Sequence, residues 1–301
     1  MAKKHLIVLA GPTASGKTAT AIKLAKAFNT EIISADSRQF YKELSIGTAA
    51  PTEDELRQVK HHFVHHLSID DKYDVAEYEK DVLLYLKEYF KTNDIAIMTG
   101  GSGLFIDAVC NGLDEMPDIS EETRAEVTQI YEKGGLEALQ IEVERVDPEY
   151  YSIVDKQNPR RLQRAIEVFH QTGKPYSTFR QRNAAEREFD VIKLALLWDR
   201  NDLIERINKR VDCMMEQGLL EEVKSVYPKR HLNSLNTVGY KELFDYLDGK
   251  CILEQAVEQI KISTRQYAKR QMTWLRKYND YQWFTVNQVD EMISFIKKLI
   301  S

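Results

Sequence analysis

Leu6-Ile7-Val8-Leu9-Ala10 runs directly into Gly11-Pro12-Thr13-Ala14-Ser15-Gly16-Lys17-Thr18, and a helix-forming run, Ala19 to Phe28, follows. An apolar strand, a loop bounded by glycines, a Lys-Thr pair and a helix, in that order, make the G-x-x-x-x-G-K-[ST] phosphate loop in its working context. The glycines let backbone N–H groups turn inward around an anion, and the helix brings its positive N-terminal end to the same place. Lys17 adds a mobile full charge, and the Thr18 hydroxyl is placed to ligate Mg2+. The stretch predicts a phosphorylated ligand without naming it.

Outward from this loop, short apolar runs alternate with helical patterns. Strands are predicted at residues 5–10, 31–35, 95–99, 191–198 and 281–286. Helices are predicted at residues 17–28, 75–91, 104–111, 203–217, 239–247 and 253–277. Alternation of this kind predicts an α/β fold, a P-loop NTPase-like parallel sheet flanked by helices. Between Met116 and about Asp190 the strand signal vanishes and amphipathic helical segments take over. The expected organisation is therefore a core of residues 1–115 and 190–301 with an all-helical insertion domain at 116–189.

At 301 residues, with 43% hydrophobic and 30% charged residues, the chain has the composition of a globular protein. No apolar run has the length of a membrane span, and Met1-Ala2-Lys3-Lys4 leads into a strand without a signal-peptide pattern. Cys110, Cys213 and Cys251 have neither disulfide-framework nor metal-site spacing, as suits a reducing cytoplasm. The expectation is a cytoplasmic protein that acts as a monomer away from membranes.

The net charge of −5 conceals an asymmetry. Residues 158–187 hold seven basic side chains (Arg160, Arg161, Arg164, Lys174, Arg180, Arg182 and Arg187) against two acidic ones. Residues 261–278 hold six (Lys261, Arg265, Lys269, Arg270, Arg276 and Lys277) and no acid. Concentrated positive charge on an otherwise acidic chain is the footprint of a polyanion site. Leu162, Ala165, Ile166 and Phe169 recur at helical spacing and predict a core-facing stripe, with Arg160, Arg161 and Arg164 on another face. Lys261, Arg265, Lys269 and Arg276 likewise share one side of a helix. A solvated face is the ordinary reading of such a stripe, and the lack of interspersed acids weighs against it here.

Two strand ends carry further chemistry. Residues 31–35 lead into Asp36-Ser37-Arg38-Gln39, and the carboxyl ends of parallel strands are where such sheets place ligands. Asp36 can accept a proton, and Gln39 can pair with an adenine edge; the plainer reading is a turn in which Asp36 caps the next segment. Ile95-Ala96-Ile97-Met98 leads into Thr99-Gly100-Gly101-Ser102-Gly103. An NTP-hydrolysing P-loop protein usually ends this strand in an acid that serves Mg2+. A hydroxyl and glycines stand here instead, which argues against a motor or ATPase. The histidines of His61-His62-Phe63-Val64-His65-His66 invite a metal reading, but neighbours on a strand point to opposite faces and no Cys or carboxylate lies at ligand spacing. Structural or phosphate-proximal hydrogen bonding is the expectation for them.

Taken together, these residues resemble the tRNA dimethylallyltransferases. The resemblance rests on Gly-Pro-Thr-Ala-Ser-Gly-Lys-Thr at 11–18, Asp-Ser-Arg-Gln at 36–39, Ile-Gly-Thr-Ala at 46–49 and Gly-Gly-Ser-Gly-Leu at 100–104. It continues through Asn-Pro-Arg-Arg-Leu-Gln-Arg-Ala-Ile-Glu at 158–167, Val-Gly-Tyr-Lys-Glu at 238–242 and Thr-Arg-Gln-Tyr-Ala-Lys-Arg-Gln-Met-Thr-Trp-Leu-Arg at 264–276, in the family's order. The resemblance implies that the loop holds dimethylallyl diphosphate rather than ATP, and that the prenyl group passes to N6 of adenosine 37 of tRNA. It implies Asp36 as general base and Ser102 as a catalytic hydroxyl. Diphosphate binding falls to Gly11, Pro12, Thr13, Ala14, Ser15, Gly16, Lys17 and Thr18, assisted by Arg210 and Arg265, with Mg2+ held through Thr18. Contacts to the tRNA anticodon stem–loop are implied for Asp36, Ser37, Arg38, Gln39, Ser102, Arg124, Arg160, Arg161, Leu162, Gln163 and Arg164.

The chain departs from the family's usual pattern at Ala50, where a lysine is frequent, and at Phe105, where a tyrosine is. Three cysteines are too few for the zinc-finger tail of many eukaryotic relatives, so the likeness is to the bacterial type. Two other readings stand beside this one. A P-loop kinase of a small metabolite accounts for the loop and Asp36 but leaves both basic stripes unused. A non-catalytic RNA-binding protein uses the stripes and wastes the loop.

Overall fold

The computed structural model describes residues 3–180 and 185–300. Arg182, counted above among the basic residues, lies outside them. Strand β1 (His5–Ala10) is buried along its whole length, which is why it reads as an unbroken apolar run. Its side chains alternate between two cores. Leu6, Val8 and Ala10 enter one apolar cluster, Ile7 and Leu9 the other.

The elements that follow are α1 (Lys17–Phe28), β2 (Ile32–Ser34), α2 (Glu53–Gln58), β3 (His61–His62), α3 (Val75–Tyr89), β4 (Ile95–Gly100) and α4 (Gly103–Asn111). Helices α5 (Glu121–Val146), α6 (Pro148–Ile153) and α7 (Pro159–Thr172) come next. The chain then returns through β5 (Asp190–Leu196), α8 (Arg200–Glu216), α9 (Leu219–Val226), α10 (Tyr240–Leu247), α11 (Leu253–Leu275), β6 (Gln282–Phe284) and α12 (Val289–Ile300).

The six strands form one sheet in the order β3-β2-β4-β1-β5-β6, with every pairing parallel. Tyr78, Val82 and Leu86 of α3 and Ile106 and Val109 of α4 pack on the Leu6–Val8 face. Ala21, Leu24 and Ala25 of α1, with Met292 and Ile296 of α12, cover the Ile7–Leu9 face. The fold is thus a parallel sheet flanked by helices. The register Ala10↔Gly100 brings the loop after β1 beside the turn after β4, and Ser34↔Thr99 brings Asp36 to the same end.

Several boundaries differ from expectation for local reasons. Helix α8 starts at Arg200 because the Asp199 carboxylate accepts from the N–H groups of Asn201 and Asp202. Helix α2 was not expected; a Thr52–Glu55 capping box starts it. Helix α12, also unexpected, repeats Val289, Met292, Ile293 and Ile296 at helical spacing, so its signal was present in the sequence. Strand β3 is two residues long, below the length at which a pattern can be read.

The chain divides into two compact units, Met1–Cys110 with Arg187–Ser301, and Asn111–Glu186. The second is helical. Its core gathers Val127, Leu139 and Val143 of α5, Tyr150 of α6, and Leu162, Ala165 and Ile166 of α7. Leu162 is fully buried there, so the RNA contact expected of it is corrected: it is a packing residue. Arg187 is likewise not part of a free basic face. Its guanidinium bonds Glu79 at 2.5 Å and the carbonyls of Ala108 and Val109 at 2.7 and 2.9 Å.

Candidate active site

The loop after β1 builds an anion cradle from its backbone. Ala14 and Gly16 both take left-handed conformations, with φ of 62° and 84°. Alternation of this kind turns successive N–H groups to one side. Gly16 is also the N-cap of α1, with no side chain to satisfy the first-turn N–H groups, which stay available to an anion. Ser15 is fully buried, and its hydroxyl has no hydrogen-bond partner among the described residues.

The outside of the loop is braced by residues far along the chain. Trp198 Nε1 donates to the Ser15 carbonyl at 2.9 Å, and Arg206 Nε donates to the Ala14 carbonyl at 2.9 Å. The Arg206 guanidinium lies over the Trp198 ring at 4.4 Å. Gln271 of α11 joins two loops. Its Oε1 accepts from Thr13 N at 2.7 Å, and its Nε2 donates to the Gly101 carbonyl at 2.9 Å. A Cβ at position 101 would stand 2.5 Å from that amide nitrogen, so any side chain there would displace the Gln271 amide.

A cavity of about 990 Å3 opens beside the cradle. Thr13 to Thr18, Asp36, Gln39, Arg206, Lys209, Arg210, Tyr267 and Gln271 line it. Lys17 Nζ donates to the carbonyls of Gly11 and Pro12 at 3.0 and 2.7 Å. Desolvation pushes the Lys17 pKa down to about 8, with Asp36 opposing the shift and Arg210 adding to it. Burial also lowers Arg210, again against Asp36. Burial raises the Tyr267 phenol, and the Asp36 charge raises it further, so that hydroxyl stays protonated. Cations and one carboxylate therefore meet where a polyanion and a proton-losing group could lie side by side.

The other residues expected at the site have specific places. Asp36 Oδ1 accepts from Arg38 N at 3.1 Å. Ser37 N donates to Ser102 Oγ at 3.0 Å, and the two hydroxyls are 3.2 Å apart, so Ser102 holds the Asp36–Ser37 turn against the turn after β4. Arg38 donates to the carbonyls of Asn233 and Ser234, and the Gln39 amide donates to those of Thr48 and Ala49. Both side chains thus fix neighbouring loops. Arg265 corrects an expectation. It bonds Asn208 at 2.7 Å and Glu258 at 3.2 Å and does not line the cavity, because α8 supplies a partner and α11 its own acid. Lys261 in the same stripe pairs with Asp212 of α8 at 2.6 Å.

Arg206, Lys209, Tyr267 and Gln271 were missed as site residues. Tyr267 and Gln271 lie four residues apart on one face of α11, inside a block already quoted, and that spacing was the available signal. In the helical unit, Arg124, Arg160 and Arg161 are exposed, Gln163 is half-buried, and Arg164 lies 3.7 Å from Glu167.

Of the histidine group, His65 lines the cavity, and the other three have structural partners. His61 Nδ1 meets the Val59 carbonyl at 2.8 Å, His62 Nε2 meets Glu31 at 2.6 Å, and His66 packs edge-on against Phe40, Phe63 and Tyr73. Among the described residues no group of three or more His, Cys, Asp or Glu side chains could hold a metal ion. Ala50 lines the cavity, and the Phe105 ring packs against Tyr78 and Phe40 at 5.2 and 5.7 Å.

With this geometry established, comparison with known proteins decides the family. The IPP transferase family profile matches residues 39–278. The chain belongs to the IPP transferase family, that of the tRNA dimethylallyltransferases. It is 50% identical to tRNA dimethylallyltransferase 1 of Phocaeicola vulgatus, covering 97% of each chain. Identity to tRNA dimethylallyltransferase 1 of Bacteroides fragilis is 47%, over the full length of both. The crystal structure of the full-length tRNA isopentenylpyrophosphate transferase of Bacillus halodurans matches with a TM-score of 0.73 at 33% identity, over 99% of this chain and 97% of that one. A eukaryotic dimethylallyltransferase captured acting on tRNA matches with a TM-score of 0.82 at 27% identity, over 99% and 79%. Phosphate cradle, Asp36 and Arg210 are thus features of a family member. No helix among the described residues is long and apolar enough to cross a membrane.

Proposed function

We propose that the protein transfers a dimethylallyl group from dimethylallyl diphosphate to N6 of adenosine 37 in tRNA, beside the anticodon, and releases diphosphate. The observation that carries this reading is the meeting of Asp36 with Lys17 and Arg210 in the cavity of the phosphate loop, in a chain of this family.

The exocyclic amine of adenine is a weak nucleophile, so losing its proton as the N–C bond forms is the assistance it needs. Asp36 takes that proton as general base. The N6–C1 bond forms while the C1–O bond breaks, and the electron pair leaves on the diphosphate. Lys17, Arg210 and the N–H groups of Gly16 and Lys17 in the loop stabilise the charge that develops there, the Thr13 N–H being held by Gln271. Ser102 keeps Asp36 and Ser37 in place through its bond to Ser37.

Mg2+ fits this site as the counter-ion of a diphosphate. The Thr18 hydroxyl in the first turn of α1 would hold it, with the rest of its shell from the anion and water. When bound, it adds charge neutralisation at the leaving oxygens.

Arg124, Arg160, Arg161, Gln163 and Arg164 of the helical unit grip the anticodon stem–loop, where unpaired bases can be splayed out of the stack. The reading includes a monomer acting in the cytoplasm; three free thiols suit a reducing compartment.

Incubation with Mg2+, anticodon stem–loop RNA and labelled dimethylallyl diphosphate tests the reading. Label on the RNA without ATP supports it. ATP-dependent phosphorylation of a metabolite, with no label on RNA, would replace it by the kinase reading.

A further inference from the structure

Two blocks quoted from the sequence, at 46–49 and 238–242, have no part in the chemistry above, and the structure joins them. Their meeting point is Glu222 of α9. Its Oε2 accepts from Ser45 N at 2.9 Å and Ile46 N at 2.7 Å. Its Oε1 accepts from Gly47 N at 2.9 Å and from the Tyr240 hydroxyl at 2.6 Å. Successive backbone N–H groups and a phenol thus close on one carboxylate, and such charge-assisted bonds fix a geometry firmly. The second block sets Tyr240 in place. Gly239 turns the chain with φ of 96°, and its N–H donates to Glu242 at 2.8 Å to open α10. Tyr240 is fully buried, and a Cβ at position 47 would stand 2.6 Å from its ring, so the segment approaches that ring closely.

The segment held in this way leads to the general base. Ser45, Ile46, Thr48 and Ala49 line the large cavity. The carbonyls of Thr48 and Ala49 accept from Gln39 Nε2 at 3.3 and 3.1 Å, while Ser34 Oγ at the end of β2 donates to Gln39 Oε1 at 3.3 Å. Gln39 N in turn donates to the Asp36 carbonyl at 3.1 Å, which closes the turn that carries the Asp36 carboxylate. Ile46 and Ala49 already pack on the apolar cluster that contains Tyr240, so burial alone does not call for the carboxylate. What Glu222 adds is a fixed position. Proton transfer needs its base within hydrogen-bond reach, so a small displacement of this turn is costly.

We propose that Glu222 and Tyr240 are positioning residues for proton removal: they fix the 45–49 segment and, through Gln39, the turn that aims Asp36 at the adenine amine. The proposal rests on the reading of Asp36 as general base.

The test measures single-turnover prenylation of anticodon stem–loop RNA by the full chain at saturating dimethylallyl diphosphate and Mg2+. Glu222→Ala is expected to lower the rate by about 10- to 100-fold. Its affinities for inorganic diphosphate and for the RNA should stay within about threefold of wild type, because neither the phosphate loop nor α7 is altered. The deciding arm repeats Glu222→Ala in an Asp36→Ala background. There the residual rate should fall by less than about twofold, because a residue that only aims the base has nothing left to aim. A further loss of about tenfold or more in that background would show Glu222 acting on the cavity at large and overturn the proposal. So would a wild-type rate in Glu222→Ala, or a diphosphate affinity that falls in step with the rate. Tyr240→Phe keeps the ring against Gly47 and removes only the hydroxyl, so it decides the matter if Glu222→Ala does not fold. It should slow the reaction by about threefold or more, an effect absent from the Asp36→Ala background; an unchanged rate overturns the proposal. A wild type that does not prenylate RNA, or an Asp36→Ala protein as fast as wild type, is a different result: it removes the underlying reading, whereas a Glu222 effect that persists without Asp36 removes only the positioning role.

Discussion

Helices α7 and α11 carry the same signal in the sequence and have different fates in the fold. Each presents basic residues at helical spacing with few or no acids in its own window. In α11 the charge facing α8 is answered: Asp212 of α8 pairs with Lys261, and Asn208 of α8 with Glu258 of α11 itself hold Arg265, while Lys269 and Arg270 are exposed with no ion pair to a described residue. In α7, Arg160 and Arg161 are exposed and form no ion pair with a described residue, while only Arg164 has a carboxylate near, at 3.7 Å. A charge stripe is therefore evidence of a polyanion site only after the neighbouring helix has been counted. What α11 brings to the site is polar and neutral instead: Tyr267 in the cavity wall, and Gln271 clamping Thr13 to Gly101.

The contrast separates grip from chemistry, and the largest expected effect tests that separation. Asp36→Ala should lower kcat by about 10^2–10^4-fold and leave RNA affinity within about twofold. RNA binding that collapses together with turnover would mean that Asp36 holds RNA rather than a proton.

Next in size is the α7 arm. Arg160→Ala combined with Arg164→Ala should weaken stem–loop binding by about tenfold and make the plot of log affinity against log salt shallower by about 1.4, the value for two lost contacts to a single strand. An unchanged slope removes those arginines from the interface.

Lys17 gives a pH-dependent effect whose sign follows from its lowered pKa. The cation binds diphosphate, and with its pKa at about 8 the free site loses this charge as pH rises past that value. Affinity for dimethylallyl diphosphate should hold below pH 8 and fall by up to about tenfold per pH unit above it, with proton uptake on binding. Calorimetry in buffers of different ionisation enthalpy measures that uptake, and none at pH 8.5 would contradict the assignment.

The smallest effect completes the comparison. Arg265→Ala should leave diphosphate affinity and the RNA salt slope within about twofold of wild type, because Arg265 is held by Asn208 and Glu258 outside the cavity. A loss of diphosphate affinity of tenfold or more would restore it to the site and undo the contrast with α7.

Much of the fold was legible because its signals are local. Strand β1 and helix α1 fall at their predicted bounds, since a six-residue apolar run and a glycine-bounded loop leave few alternatives. The phosphate loop, Asp36 and Arg210 were named from sequence and meet in one cavity. What sequence could not supply is partnership across distance. Gln271 and Thr13 are 258 positions apart, so nothing in either window announces the clamp. Leu162 sits among arginines in a motif that resembles an RNA-binding block, and its helical phase with Ala165 and Ile166 was the better guide to its burial. Lys261 and Arg265 looked unopposed because Asp212 lies outside their window, as Glu258 does by three residues.

The most direct test of the central claim is to map the product. Stem–loop RNA treated with wild-type protein, Mg2+ and dimethylallyl diphosphate is digested to nucleosides and sequenced by mass spectrometry. The account predicts one added prenyl group, on N6 of the adenosine following the anticodon, and almost none when Asp36→Ala replaces wild type under the same conditions. Prenylation elsewhere on the RNA, or an undiminished yield from Asp36→Ala, would contradict it.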